Sequence, residues 1–298
     1  MTKLKAIFTI IRFPNLVFIF LTQVLTYFFL ILPSIIAPTL SVFHFILFSF
    51  STVLIATAGY IINDYFDIGI DAINKPKRVT IENIFKRRSI IIWHIVLNLI
   101  ALIIVVYLTL NYIKLRLVGL QLISILLLLV YSTTFKRKLI IGNFTIAVLT
   151  AFTLLTTVMY EPNFQWMNPN QEHAKLLWTY CLFAFLITFI REIVKDIEDI
   201  KGDVAQNCKT IPLVWGITKA KQIIYSLLVI MFVFLITIGI YFFNTNLPLI
   251  IFIGLFVFIP LFWIWKKIKD AQLARDFHQV STYVKWITLL GILSMVLV

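Results

Sequence analysis

The chain has few acidic residues, and eight of its thirteen fall in two short segments. The first reads Asn63-Asp64-Tyr65-Phe66-Asp67-Ile68-Gly69-Ile70-Asp71. The second runs from Arg191-Glu192 through Lys195-Asp196-Ile197-Glu198-Asp199 to Gly202-Asp203. At roughly 100° per residue, Asn63, Asp64, Asp67 and Asp71 share about 100° of one helix face, and so do Glu192, Lys195, Asp196, Asp199 and Asp203. Carboxylates crowded on one face repel one another and resist ionising together, more so where a membrane begins. A bound divalent metal resolves the conflict. Oxygen donors without Cys or His suit Mg²⁺ ahead of Ca²⁺ or Mn²⁺. Two such walls in one protein suit a metal-bridged polyanion such as a diphosphate, with cationic side chains adding hydrogen bonds. Candidate cations are Lys75, Lys77 and Arg78 after the first segment, Arg191 and Lys195 in the second, and the basic run Lys136, Arg137 and Lys138. The competing reading, solvated loops with mixed ion pairs, fits poorly with the i, i+4, i+8 rhythm of 63/67/71 and 195/199/203.

The elements that hold these faces are membrane helices. Of 298 residues, 61% are hydrophobic and 13% charged, about half the charged fraction of a soluble domain. That excludes a soluble globular protein, a disordered tail and a disulfide-stapled scaffold. Runs of roughly 20 apolar residues mark nine spans, at about 13–32, 41–62, 89–110, 115–133, 141–160, 174–194, 221–243, 247–265 and 281–298. The longest polar stretches, about 63–89 and 191–221, are too short for a soluble domain. The fold class is therefore all-α and polytopic, with about nine transmembrane helices around a central chamber in one domain, 1–298. The basic start MTKLK leads into a first span that is kept, since no small-residue cleavage site follows.

The net charge of +13 would suggest nucleic acid in a soluble chain. Here 23 of the 26 cations fall on one side of the nine spans, and only Lys114, Arg116 and Lys175 on the other. This positive-inside asymmetry predicts a cytoplasmic N-terminus, cytoplasmic acidic segments and an external C-terminus in the cell membrane, with lipids rather than nucleic acid as the surroundings. The remaining polar residues have plainer readings. Cys181 and Cys208 read as free thiols, and His44 and His94 as satisfied or boundary histidines. Gln23 and Asn98 either line a chamber or bond between helices. Pro260 reads as a kink, and Glu161 and Glu172 as solvated residues of an external loop.

The two acidic segments resemble the motifs of the UbiA superfamily of intramembrane prenyltransferases. Asn63, Asp64, Asp67 and Asp71 match N-D-x-x-D-x-x-x-D. Lys195, Asp196, Asp199, Gly202 and Asp203 match K-D-x-x-D-x-x-G-D. Arg12-Phe13-Pro14-Asn15, Tyr131-Ser132 through Lys136-Arg137 and Gly142-Asn143, and Thr210-Ile211-Pro212 with Gly216 resemble smaller family signatures in the same order. The resemblance implies nine helices and a pair of Mg²⁺ ions that bind the diphosphate of a polyprenyl donor. The allylic C–O bond ionises and an acceptor attacks the cation. It places Asp64, Asp67, Asp71, Asp196, Asp199 and Asp203 at the metals, and Asn63, Arg78, Lys136, Arg137 and Lys195 on the diphosphate. Asn15 would face the acceptor, and Asp67, Asp71, Asp199 and Lys195 would carry the catalysis. The 28 Phe, 11 Tyr and 7 Trp supply candidate aromatic walls for a carbocation.

The continuation Ile70-Asp71-x-x-Asn74-x-Pro76-x-Arg78 is most similar to the digeranylgeranylglyceryl phosphate synthase and chlorophyll synthase branch. That implies geranylgeranyl transfer to a lipid acceptor such as geranylgeranylglycerol phosphate, with an aromatic quinone precursor as the alternative. The chain departs from the branch at Val79-Thr80-Ile81-Glu82-Asn83, where R-P-I-P-S-G continues after the Arg, and at Asn207, where Gly is common. An ion-coupled transporter would need ionisable residues near the bilayer midplane, and a lipid-binding scaffold has no need of two matched acidic walls. Because the motifs close spans two and six, spans 1–4 and 5–8 read as a weak internal repeat.

Overall fold

The computed structural model describes residues 3–74, 86–113 and 115–298, and of residues 3–6 and 116 the backbone only. Among the described residues the chain is helical throughout, with no strand. The helices are α1 (Lys3–Ile10), α2 (Phe13–Leu25), α3 (Val42–Asn74), α4 (Arg87–Asn111), α5 (Val118–Thr133), α6 (Ile141–Met159), α7 (Glu172–Glu198), α8 (Ile200–Ala205), α9 (Ile211–Phe242), α10 (Leu247–Ile253), α11 (Ile259–Asp270) and α12 (Ala274–Leu293). Eight stretches are long and apolar enough to cross a membrane, and α5 is a ninth, shorter apolar helix. They correspond one for one to the predicted spans.

The helices overrun the predicted ends on one side. α3 continues to Asn74, α7 to Glu198, α9 begins at Ile211 and α12 at Ala274. Hydropathy marks only the length buried in lipid. Backbone hydrogen bonding continues past that boundary wherever helix-compatible residues follow, and the acidic motifs lie on these overruns. Pro14, Pro212, Pro248 and Pro260 sit in first turns, where a missing N–H costs nothing. Pro260 follows a π-helical segment, Gly254–Phe258, which interrupts the regular α-helical ladder of span eight. Gly216, at φ 82°, breaks α9 between its first turns and its membrane span.

α3 and α7, which carry the two motifs, are the inner helices. About half of each apolar window is buried in the protein (50% and 56%), against 22% for α4 and α9. α3 packs on α2, α4, α5 and α8, and α7 on α6, α9 and α12. One apolar cluster joins α7 to α9, α11 and α12 through Ile190, Ile224, Leu261 and Val284. A second, through Leu30, Phe45, Leu108, Leu154 and Leu177, closes the end remote from the motifs.

That remote end corrects one expectation. Glu161 is not solvated: it is 1% exposed and accepts hydrogen bonds from the Thr39 N–H (2.9 Å), the Thr39 hydroxyl (2.6 Å) and the Leu40 N–H (3.4 Å). It ties the loop after α6 to the chain entering α3, so the polar sequence around it reflects hydrogen-bonding demand rather than exposure. Glu172, by contrast, is exposed and pairs with Lys175 at 3.0 Å. Cys181 and Cys208 are free and buried. His94 contacts the Ala58 carbonyl at 3.0 Å, and Gln23 donates to Thr52 at 3.2 Å. Both serve helix packing.

Candidate active site

Both motifs open onto one cavity of about 600 Å³. Its acidic lining comes from two walls. α3 supplies Asp67 and Asp71. α7 and α8 supply Glu192, Asp196, Asp199 and Asp203. Deeper walls come from α2, α5, α6 and α12 together with the membrane-buried parts of α3 and α7, and they carry Phe18, Tyr60, Tyr131, Phe152, Tyr180 and Phe183. The cavity thus joins an ionic mouth to an apolar interior.

The first wall is tied by cations from other parts of the chain. Arg12, in the left-handed region at φ 51° just before α2, donates from Nη2 to Asp64 Oδ1 at 2.9 Å and lies over the Tyr60 ring. Lys136 pairs with Asp67 Oδ2, to which Asn63 Nδ2 also donates at 2.6 Å. Asn63 Oδ1 is a buried acceptor with no partner among the described residues. Gly142 is what lets Lys136 come so close. A Cβ at 142 would lie 2.9 Å from the Phe135 carbonyl oxygen and 3.0 Å from the Lys136 Cα, both backbone atoms unable to swing aside.

The second wall is held differently. Lys195 donates to both oxygens of Glu192 at 3.1 Å, and Arg191 reaches the same carboxylate at 3.3 Å. Asp196 receives one hydrogen bond, from Asn143 Nδ2 at 2.8 Å. Asp203, 5% exposed, lies beyond the apolar span, where burial and then the neighbouring charge of Asp199 push its carboxyl up to about 6. The two walls are stapled together by Asn74. Its Nδ2 donates to the Asp199 carbonyl at 2.9 Å and its Oδ1 accepts from the Gly202 N–H at 2.8 Å. A side chain at 202 would overlap the Asn74 amide, so this approach needs glycine.

The donor set fits magnesium in a particular way. Every candidate ligand is a carboxylate oxygen, yet among the described residues no three converge tightly enough to cage an ion. Mg²⁺ is commonly held by one or two carboxylates together with substrate phosphates rather than by an all-protein cage. Two separated acidic walls suit that mode.

Two expected site residues lie elsewhere. Asp64 does not line the cavity, because Arg12 engages it from the side. Arg137 is exposed, and only its backbone carbonyl is used, accepting from the Lys209 N–H at 2.9 Å. The tight turn after α5 points consecutive side chains in different directions, which spacing alone does not disclose. Asn15 lines the cavity. Arg78 and the departure at 79–83 lie outside the described residues. Asn207 adopts φ 53°, a conformation Asn tolerates better than most residues, so the turn survives the loss of a glycine. Sequence reasoning missed Asn74, Gln121 and Lys285. The spacing of Lys285 with Thr288, Ile292 and Met295 on one face of α12 was the available signal.

A model of the UbiA prenyltransferase family matches residues 16–290. The chain belongs to this family. It is accordingly an integral membrane enzyme of prenyl transfer. It is 31% identical over 255 residues to digeranylgeranylglyceryl phosphate synthase of Saccharolobus solfataricus, covering 82% of this chain and 80% of that one. It is 26% identical over 236 residues to the synthase of the same name from Methanosphaera stadtmanae, covering 78% and 80%. Among solved structures, a UbiA homologue from Archaeoglobus fulgidus bound to DMAPP and Mg²⁺ superposes with a TM-score of 0.63 at 16% identity, over 95% of this chain and 98% of that one. At that identity the likeness speaks for the fold.

Proposed function

We propose that the protein transfers a geranylgeranyl group from its diphosphate to a lipid acceptor of the geranylgeranylglycerol phosphate kind, with Mg²⁺ as cofactor. The observation that carries this reading is the single cavity in which two acidic walls meet an apolar, aromatic interior. The name shared by the two synthases supports the acceptor class.

In this reading Asp67 and Asp71 face Asp196, Asp199 and Asp203 across the bound diphosphate. Mg²⁺, when bound, neutralises charge growing on the leaving diphosphate. Lys136 and Asn63 hold diphosphate oxygens from the first wall, with Arg78 as a further candidate. Lys195, braced by Glu192, adds positive charge from the second. These groups are set in place before the allylic C–O bond breaks, so they favour the charge-separated state without rearranging. Tyr131 offers a ring face to the allylic cation, and Tyr60 and Phe18 help keep water from it. The acceptor hydroxyl attacks the cation, and the released diphosphate is the base beside it. Asn15 lies where the acceptor enters.

The cation asymmetry supports placing the motif end and the N-terminus in the cytoplasm. Leu297 lies at the other end, where its carbonyl accepts from Asn246 at 2.8 Å. The repeat of spans 1–4 and 5–8 finds support in local geometry. Arg12 and Ile140 both have positive φ just before the first span of each half, and each is followed three residues later by a cavity-lining Asn, Asn15 or Asn143.

The test is an assay of membranes containing the protein with Mg²⁺, geranylgeranyl diphosphate and a panel of acceptors, reading pyrophosphate release and the new lipid. Transfer to geranylgeranylglycerol phosphate that disappears on chelation supports the proposal. Transfer that survives both chelation and Asp67→Asn or Asp199→Asn removes the metal mechanism. Turnover with hydroxybenzoate-type acceptors alone replaces the lipid acceptor by an aromatic one.

A further inference from the structure

Lys285 has no role in the scheme above. It sits about three turns into α12, on a stripe with Thr288, Ile292 and Met295 that faces the cavity, while Tyr283 and Trp286 on the other faces are exposed. Its ammonium group lies over the Phe18 ring, 5.1 Å from the centroid. It makes no ion pair among the described residues, and its charged neighbours are Arg191, Lys195 and Arg12, all cations. A lysine at the edge of a span normally snorkels to the surface or meets an anion, and this one is turned toward the cavity.

The local charges show what is missing. Arg12 is matched by Asp64, and Lys195 by both oxygens of Glu192. Arg191 has only a 3.3 Å share of that same carboxylate, and its Nε is a buried donor with no partner. Arg191 and Lys285 therefore leave about two positive charges uncompensated on the cavity wall. A phosphate monoester carries about −1.5 to −2 at neutral pH, with three acceptor oxygens. Along α7, Arg191 lies two helical turns before Asp199, toward the apolar interior, so it marks a deeper level of the cavity than Asp199 and Asp203.

We propose that Lys285 and Arg191 form a second anion site in the cavity, which binds the phosphate of the acceptor lipid and selects phosphorylated over unphosphorylated acceptors. The inference rests on the lipid-acceptor reading and adds a specificity determinant to it.

The experiment uses the full chain in detergent with Mg²⁺, geranylgeranyl diphosphate and two acceptors, geranylgeranylglyceryl phosphate and dephosphorylated geranylgeranylglycerol. The wild type should show a KM at least tenfold lower for the phosphorylated acceptor. Lys285→Met should raise that KM by roughly tenfold to a hundredfold, the range expected for losing a charge-assisted contact. It should leave the donor KM within about twofold and kcat/KM for the dephosphorylated acceptor unchanged, and Lys285→Arg should restore most of the loss. Equal losses on both acceptors, or a rise confined to the donor KM, would overturn the proposal. So would a wild type that does not distinguish the two acceptors, a result that needs no variant to fold. Failure of the underlying reading looks different: the wild type would use neither lipid acceptor but would turn over an aromatic one.

Discussion

The two acidic walls are similar in sequence and differ in what the fold places against them. On the α3 wall, cations from distant segments meet the carboxylates, Arg12 on Asp64 and Lys136 on Asp67. On the α7–α8 wall Arg191 and Lys195 are taken up by Glu192, Asp196 has an amide for a partner, and Asp203 feels Lys136 and the Thr210 hydroxyl. Asp203 is buried next to the charge of Asp199, and an added cation relieves that repulsion. Equivalent motifs thus divide the work, one presenting a carboxylate already oriented by lysine, the other two neighbouring carboxylates that a metal would draw together.

The sharpest way to break this comparison is the same isosteric change on both walls. Asp67→Asn and Asp203→Asn should each reduce kcat/KM for geranylgeranyl transfer on the order of a thousandfold, since each removes a group that acts on the developing charge. Their effects on the metal-free protein should have opposite signs. Asp67→Asn leaves Lys136 unpaired and lowers stability by roughly 1–3 kcal/mol. Asp203→Asn removes a repelled, buried charge and raises it by about 1 kcal/mol. Melting curves in EDTA read the difference, and shifts of the same sign would show the walls to be equivalent.

A smaller effect separates two adjacent cations. Lys136→Ala should cost about a hundredfold in kcat/KM through the donor diphosphate, while exposed Arg137→Ala stays within about twofold. Steady-state kinetics with varied donor decides it, and equal losses would place Arg137 at the diphosphate after all.

The pH dependence follows from Asp203. The folded carboxyl titrates at about 6 against 3.8 for an ordinary aspartate. Between these values the folded metal-free chain holds a proton that the unfolded chain has released, so this group's contribution to stability falls as pH rises through the window. Above pH 6 the carboxylate is free to take a cation. Below pH 6 protons compete, and Mg²⁺ affinity should fall by up to about tenfold per pH unit. Titration of the Mg²⁺-induced melting shift from pH 5 to 7.5 measures this, and Asp203→Asn should flatten the profile.

The smallest expected effect concerns the staple between the walls. Asn74→Ala loses two hydrogen bonds and should cost about 1–2 kcal/mol, with a several-fold loss of activity. Gly202→Ala alone should be worse, because its Cβ meets the Asn74 amide. In the double variant the clash is gone, so Gly202→Ala should add little on top of Asn74→Ala. Additive losses would mean that Asn74 does not set the spacing of the walls.

Much of the molecule was legible beforehand. Among the described residues the nine apolar runs are all helical, because lipid leaves a spanning backbone few alternatives. The carboxylate spacing was visible because helical periodicity survives in sequence. Lys285 was harder to read. Hydropathy put this lysine about one turn into the last span, but it could not say that the side chain turns into the cavity over Phe18. Glu161 was misread for a related reason: residues in turns take their surroundings from whichever segment folds against them.

The sequence alone determined the class of fold, the two acidic faces and the chemistry those faces can support, since each is a matter of residue type and local helical geometry. Only the tertiary structure decided that the faces meet across one cavity, that Lys136 rather than Arg137 meets Asp67, and that Arg191 must share the Glu192 carboxylate with Lys195 while Lys285 faces the cavity over Phe18. Those outcomes depend on contacts between residues as far apart as Asn74 and Asp199 or Lys285 and Phe18, and no local rule specifies which distant side chains will share a charge.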